Sequence, residues 1–219
     1  MMKKRKINKS FLISSILCLV PVFIAIIFYK KLPEEIPMHF NFKGEVTSHA
    51  SKIFLIINPM ILFLANIFAL FIKYNDPKKK NVPKNLNKIL IFIIPSISLI
   101  LVCSTILISF GYNLRIEMLM PIFFSIIFIL IGNYLPKCKR NFTVGIKLPW
   151  TLYDDDVWMK THRLGGFLFV ISGILILLTS LFLNKFSFFV MIITLLITLI
   201  SLTLYSFIIY NHKKSKSLE

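Results

Sequence analysis

Six stretches of this chain are apolar from end to end and contain no Asp, Glu, Lys, Arg or His: Phe11–Tyr29, Ile53–Ile72, Ile89–Phe110, Met118–Leu135, Leu164–Leu183 and Phe188–Tyr210. Each is close to the roughly 20 apolar residues that a helix needs to cross the hydrocarbon core. A transmembrane β-barrel would instead show short segments of alternating polarity. Charged residues make up 16% of the chain, against about 25% in a soluble domain. A soluble enzyme, a disordered tail and a DNA-binding module are thereby excluded, although the net charge is +17. The expected fold is all-α, a polytopic membrane protein of six transmembrane helices. Cys18, Cys103 and Cys138 suggest no disulfide framework, because two sit in apolar runs and one in a Lys-rich loop. The basic N-terminus imitates a signal peptide, but the run behind it ends in Phe28-Tyr29-Lys30-Lys31 without a small-residue cleavage site. It reads as a retained signal anchor.

Basic residues orient the spans, since cytoplasmic loops carry the excess of Lys and Arg. The N-terminus, the loop from Lys73 to Lys88, the loop from Lys137 to Arg163 and the C-terminal tail together hold 20 of the 26 Lys and Arg. Both termini are therefore expected in the cytoplasm. The organisation reads as a basic cytoplasmic N-terminus (1–10), a two-span unit (11–72) with an extracellular loop (30–52) and a basic cytoplasmic loop (73–88). A four-span unit (89–210) with a cytoplasmic loop (136–163) follows, then a cytoplasmic tail (211–219).

Ion-coupled carriers, charge-selective pores and intramembrane metalloproteases need ionisable groups at depth. None is found in these spans. Uncharged polar residues there, among them Ser14, Asn66, Ser104 and Ser180, more commonly join helices than handle substrate. Asn133 is the exception worth keeping, because it ends span four beside the long inside loop. Pro21, Pro59, Pro95 and Pro121 fall one each in the first four spans and favour bent helices. Those bends read either as packing or as a deformable portion that reports an outside event inside.

The outside loop, Leu32 to Lys52, is stiffened by Pro33 and Pro37 and turned by Gly44. His39 and His49 are too far apart to read as a metal site. An Ile36-Pro37-x-His39-Phe40-Asn41 turn packed on the helix ends is expected there. The inside loop holds both tryptophans and four of the seven glycines between Gly132 and Gly166, which predicts an ordered loop. Thr151 with Asp154 three residues on predicts a helix N-terminus capped by Thr151, running through Arg163 into span five. Trp150 and Trp158 are natural interface anchors. Trp158 and His162 share a helix face. Lys137, Lys139 and Arg140 are expected to contact lipid headgroups. Asp155, Thr161 and His162 imitate an acid/base set, but no nucleophile or second carboxylate accompanies them.

The two loops carry a resemblance. Leu32-Pro33, Ile36-Pro37, His39-Phe40-Asn41, Gly44 and Ser51-Lys52 resemble the small N-terminal domain of unknown function that often accompanies the SdpI/YfhL family of bacterial membrane proteins. Gly132-Asn133, Leu135-Pro136, Asn141, Gly145-Ile146, Pro149-Trp150-Thr151-Leu152, Val157-Trp158 and Thr161-His162-Arg163 resemble that family's core signature. Lys147-Leu148 stands where the family more often has Arg-Thr.

The resemblance implies a multi-pass protein of the bacterial cytoplasmic membrane, with no cofactor and no metal, that protects its producer against a secreted membrane-active toxin peptide. It also implies a receptor role, in which a small winged-helix repressor is held at the membrane and nucleic acid is not touched directly. Pro33, Ile36, Pro37, His39, Phe40, Asn41, Gly44 and Lys52 would then meet the peptide. Asn133, Pro136, Asn141, Gly145, Lys147, Pro149, Trp150, Thr151, Trp158, Thr161, His162, Arg163 and Gly166 would meet the repressor or build the motif. The alternatives are a signalling receptor without immunity, and a transporter or exporter of an uncharged or lipidic substrate. An enzyme ranks last, for want of an assembled catalytic set.

Overall fold

The computed structural model describes residues 9–216, the side chain of Asn184 excepted. Lys3, Lys4, Arg5 and Lys6, which entered the count of basic residues, lie outside the described residues. The expected runs are helical: α1 (Lys9–Phe28), α2 (Phe54–Asn75), α3 (Lys84–Ser109), α4 (Ile116–Tyr134), a five-residue α5 (Pro149–Tyr153), α6 (Asp155–Phe182) and α7 (Ser187–Lys216). All but α5 are long and apolar enough to cross a membrane. The helix expected ahead of span five is continuous with it, which gives α6 its 28 residues.

The chain folds as two compact units. One comprises the residues up to Ile72 with Leu90–Ile116, the other Lys73–Ile89 with the residues from Glu117 onward. In the first unit the loop after α1 is a hairpin rather than the expected turn. β1 (Glu35–Phe40) pairs antiparallel with β2 (Val46–Ser51), with irregular register on either side of His39. Pro37 has no N–H to give a ladder, and Met38 is the extra residue beside it, so the bulge falls where pairing is weakest. Ile36 is 1% exposed and packs with Ala25, Leu32, Leu55, Val102 and Ile106. The hairpin is thus tied by its own core residue to the ends of the helices.

Prolines within lipid-spanning helices leave the carbonyl four residues earlier without its usual N–H, and something else must satisfy it. Pro95 does this to Ile91, whose carbonyl accepts a hydrogen bond from Ser14 Oγ at 2.8 Å. Asn66 Nδ2 donates in turn to Ser14 Oγ at 3.3 Å, so three helices of the first unit meet at one buried hydroxyl. In the second unit Pro121 releases the Glu117 carbonyl, which accepts from Ser187 Oγ at 3.2 Å.

The second unit is held by close backbone approach. A Cβ on Gly132 would lie 2.7 Å from the Gly166 carbonyl oxygen, and one on Gly173 would lie 2.8 Å from the Ser125 carbonyl oxygen. α4 and α6 therefore run backbone to backbone along a seam of glycines, as small residues permit in membranes. Ser172 and Thr198 join α6 to α7 with hydroxyls 3.1 Å apart. Gly132→Val is expected to prevent stable accumulation of the chain in membranes, because the clash is with backbone and cannot be relieved by a rotamer. Ser14→Ala should be milder, about 1 kcal/mol, read as a midpoint lowered by a few degrees in thermal denaturation of the detergent-solubilised protein. Wild-type behaviour of Gly132→Val would show that the seam is not closed.

Candidate functional site

The motif loop that joins α4 to α6 is folded around one imidazole. His162 is buried; its Nδ1 donates to the Trp158 carbonyl at 2.8 Å, and its Nε2 accepts from the Ile146 backbone N–H at 3.0 Å. An acceptor at Nε2 and a donor at Nδ1 define the neutral ring with its proton on Nδ1. The Trp158 indole stacks on that ring, centroids 4.0 Å apart and planes 18° from parallel. Trp158 is 0% exposed, and its Nε1 donates to the Cys138 carbonyl at 2.7 Å. The expectation that Trp158 anchors the bilayer interface is thereby corrected: protein covers it on every side, and its one donor is used inside. Only glycine can bring the backbone over these rings. Gly145 has φ +129°, and a Cβ there would run into His162 Nε2 and the Trp158 ring.

The strand of loop between Cys138 and Leu148 is organised by two further buried side chains. Asn141 is fully buried; its Oδ1 accepts from the backbone N–H of Thr143 and Val144, and its Nδ2 donates to the carbonyls of Lys139 and Val144. Thr151 Oγ1 accepts from Leu148 N–H and donates to the Ile146 carbonyl at 2.8 Å. Thr161 is buried and donates to the Val157 carbonyl. Burial, opposed slightly by the Asn141 amide, pushes the Cys138 thiol up to about 11.

The helix start expected at Thr151 falls instead at Asp154. Its carboxylate accepts from Asp156 N–H at 2.8 Å and Val157 N–H at 3.1 Å, and it pairs with Lys213 at 2.7 Å. Lys213 holds the Asp154 carboxyl below its usual range; burial opposes it, and the Val157 and Asp156 N–H groups add smaller help. Asp and Thr are both good caps; Thr151 loses the position because its hydroxyl serves α5. Arg140 is also corrected from lipid contact to a structural role. Its Nη1 donates to the carbonyls of Leu152 and Tyr153, closing the C-terminal end of α5. Its Nε lies 2.7 Å from Asp155 Oδ1, an ion pair in which the N–H is not directed at the carboxylate. Asp155, Thr161 and His162 are thus each engaged elsewhere and form no acid/base set.

Sequence reasoning missed Asp76. It is 4% exposed; Oδ2 accepts from Phe142 N–H at 3.1 Å and Thr143 Oγ1 at 2.8 Å, and Oδ1 accepts from Lys78 N–H at 2.7 Å. Asn81 Nδ2 donates to the Arg140 carbonyl, and its own carbonyl accepts from Lys139 N–H. The available signal was that Asp76 is the single acid between Lys73 and Lys88.

The remaining motif residues are placed as follows. Pro136 packs on Gly166, and Trp150 Nε1 donates to Ser206 Oγ at 2.8 Å. Asn133, Lys147, Pro149 and Arg163 are exposed. In the hairpin, Asn41 Oδ1 accepts from the N–H groups of Lys43 and Glu45, and Gly44 takes φ +78°, which makes the turn. His39 Nδ1 lies 2.7 Å from Ser48 Oγ across the strands, and Lys52 pairs with Glu34 at 2.9 Å. Pro37 is buried beside Ile36, Phe40 is half-buried, and Pro33 is exposed. Among the described residues no group of three or more His, Cys, Asp or Glu is placed to hold a metal ion.

Comparison with known proteins returns the same pair of regions. Residues 137–206 match the model of the SdpI/YfhL protein family, and residues 16–74 match a domain of unknown function, DUF1648. The chain is 31% identical over 205 residues to "Immunity protein SdpI" of Bacillus subtilis (strain 168), covering 93% of this chain and 97% of that protein. No solved structure gives a significant match. The chain belongs to the SdpI/YfhL family and is a multi-pass protein of the cytoplasmic membrane.

If the imidazole organises the loop, its removal should expose Cys138. In a Cys18→Ala, Cys103→Ala background, alkylation of Cys138 at pH 8 is expected to be about a hundredfold slower than that of an ordinary thiol, from its smaller thiolate fraction. His162→Ala should restore fast labelling, and the exposed Lys147→Ala should not. Because the folded thiol titrates above its unfolded value of 9.0, its contribution to stability is complete below pH 9 and is lost as pH rises towards about 11. Fast labelling of the unsubstituted loop would refute this packing.

Proposed function

We propose that this protein protects the cell that makes it against a secreted, membrane-active peptide. The observation that carries this is identity to an immunity protein along 93% of the chain, rather than over one motif alone. The distribution of chemistry agrees with binding and not with catalysis. Asn141, Thr151, Thr161 and His162, the buried polar side chains of the motif, are spent on backbone groups of the loop and of α6. The excess of basic residues on the loops after α2 and α4 orients those loops and both termini to the cytoplasm. The hairpin then faces outward, where a secreted peptide arrives.

A second reading is favoured by what the motif leaves exposed. Tyr153 is 77% exposed, and Met159, 57% exposed, lines a cleft with Lys78, Asn81, Lys139, Arg140 and Asp155. In this reading that surface holds a small winged-helix repressor when peptide is bound outside. Trp150 and His162 are poor tests of it, since both are built into the loop. Tyr153 and Lys147 project from the loop and are better ones.

Expression in a sensitive bacterium should preserve survival and membrane potential on challenge with an SDP-type toxin peptide. The Pro37→Ala, His39→Ala, Gly44→Ala triple variant should lose that protection at equal abundance in the membrane. Tyr153→Ala with Lys147→Ala should leave protection intact and abolish peptide-dependent derepression of a reporter. Death of cells carrying abundant wild-type protein would sink immunity to that peptide.

A further inference from the structure

In the first unit a cavity of about 140 Å³ opens between α2 and α3 and is closed at one end by β1. Facing stripes of the two helices line it, Phe54, Asn58 and Leu62 from α2 and Ser98, Val102 and Thr105 from α3, with Ile36 and Met38 above them. Two features mark it as unfinished. Ser98 is 0% exposed, and among the described residues its buried hydroxyl has no hydrogen-bond partner. Asn58 Nδ2 meets only the Met38 thioether, at 3.7 Å, and thioether sulfur is a weak acceptor. Pro59, also in the lining, has no N–H to give the Leu55 carbonyl. Polar groups so placed ordinarily have partners, because leaving them bare in an apolar site costs free energy.

We propose that this cavity is the anchor site for one apolar side chain of the incoming peptide, whose backbone amide is held by Ser98 Oγ and the Asn58 amide. The inference rests on the protective function proposed above. Size sets the side chain, since a cavity of roughly 150 Å³ holds a benzene ring; a Phe, Leu or Ile side chain fits. Chemistry selects peptide over lipid. A hydrocarbon chain brings no donor or acceptor for Ser98 or Asn58, and a whole acyl chain is far longer than this cavity. A residue of a peptide supplies an apolar body and, one bond away, an N–H and a carbonyl. The hairpin that roofs the site puts it next to the side from which the peptide comes.

The test uses the full chain in cell membranes, with the photo-crosslinking residue p-benzoylphenylalanine at Leu62, in the lining, or at Leu64, which is 62% exposed. The probe is an affinity-tagged SDP-type peptide, and survival of the same cells is scored in parallel. A peptide adduct is expected from position 62, about tenfold above position 64. Ser98→Leu, which fills the cavity, should reduce it about tenfold. Ser98→Ala, which removes only the hydroxyl, should reduce it about fivefold and keeps the test available if the larger substitution does not fold. Adducts to phospholipid alone, or equal peptide adducts from both positions, overturn the inference. Survival without a peptide adduct at 62 overturns the site while leaving protection standing. An adduct without survival supports the site and sinks protection.

Discussion

The hydrogen bond from the Ile146 N–H to His162 Nε2 is the contact on which the signature loop depends. It fixes the imidazole as neutral, because a second ring proton would point at the amide proton. It places the ring where Trp158 can stack, and it leaves so little room above that only glycine can pass at 145. The indole then reaches the Cys138 carbonyl, twenty residues back along the chain. One side chain on the first turns of α6 thus determines the path of the loop on both sides of Gly145. Asp76 fastens the loop from a different connection, through Phe142 and Thr143.

Lipid imposes a related economy on the helices. Water is scarce at depth, so a carbonyl released by a proline is costly unless it finds a donor within the protein or in a ligand. Ser14 supplies it for Ile91 and Ser187 for Glu117. These serines read in isolation as helix glue, and glue is part of their role, since each bond joins separate helices. The more specific role is that they make Pro95 and Pro121 tolerable. At Pro95 and Pro121 the open carbonyl is answered from a neighbouring helix, which favours a fixed shape over a loose one at those two positions.

The six spans were legible because the apolar runs are long and unbroken, and nothing but lipid-facing helix satisfies such runs. The continuity of α6 and the shared face of Trp158 and His162 followed from helical spacing. The hairpin was not legible: Pro37 and Gly44 argue for a turn, and a bulged pair of six-residue strands gives too little alternation to outweigh them. The cap was misplaced for a different reason. Thr151 and Asp154 are both good N-caps, and only the contact of Thr151 with Ile146 and Leu148 decides between them. Asp76 lies 66 residues from Phe142; no local pattern can announce a bond at that separation. Arg140 was read as surface charge because the α5 carbonyls it closes exist only once that turn has formed.

The side chains that carry the family resemblance in the loop are for the most part those that build it. Asn141, Thr151, Trp158, Thr161 and His162 point inward and bond the loop and the start of α6 together. A side chain wholly enclosed cannot distinguish one partner from another. Discrimination therefore has to lie with residues that the framework holds outward, such as Tyr153, Lys147 and Arg163, or with the lining of the first unit's cavity. Tyr153 and Arg163 can change without disturbing the hydrogen bonds that keep the loop folded, and Lys147 at the cost of its 3.3 Å bond to the Phe142 carbonyl. A scaffold of this kind lets relatives share a signature and an architecture while differing in the surface they present. Kinship at 31% identity is then informative about family and architecture, while the few outward residues are where relatives are free to differ.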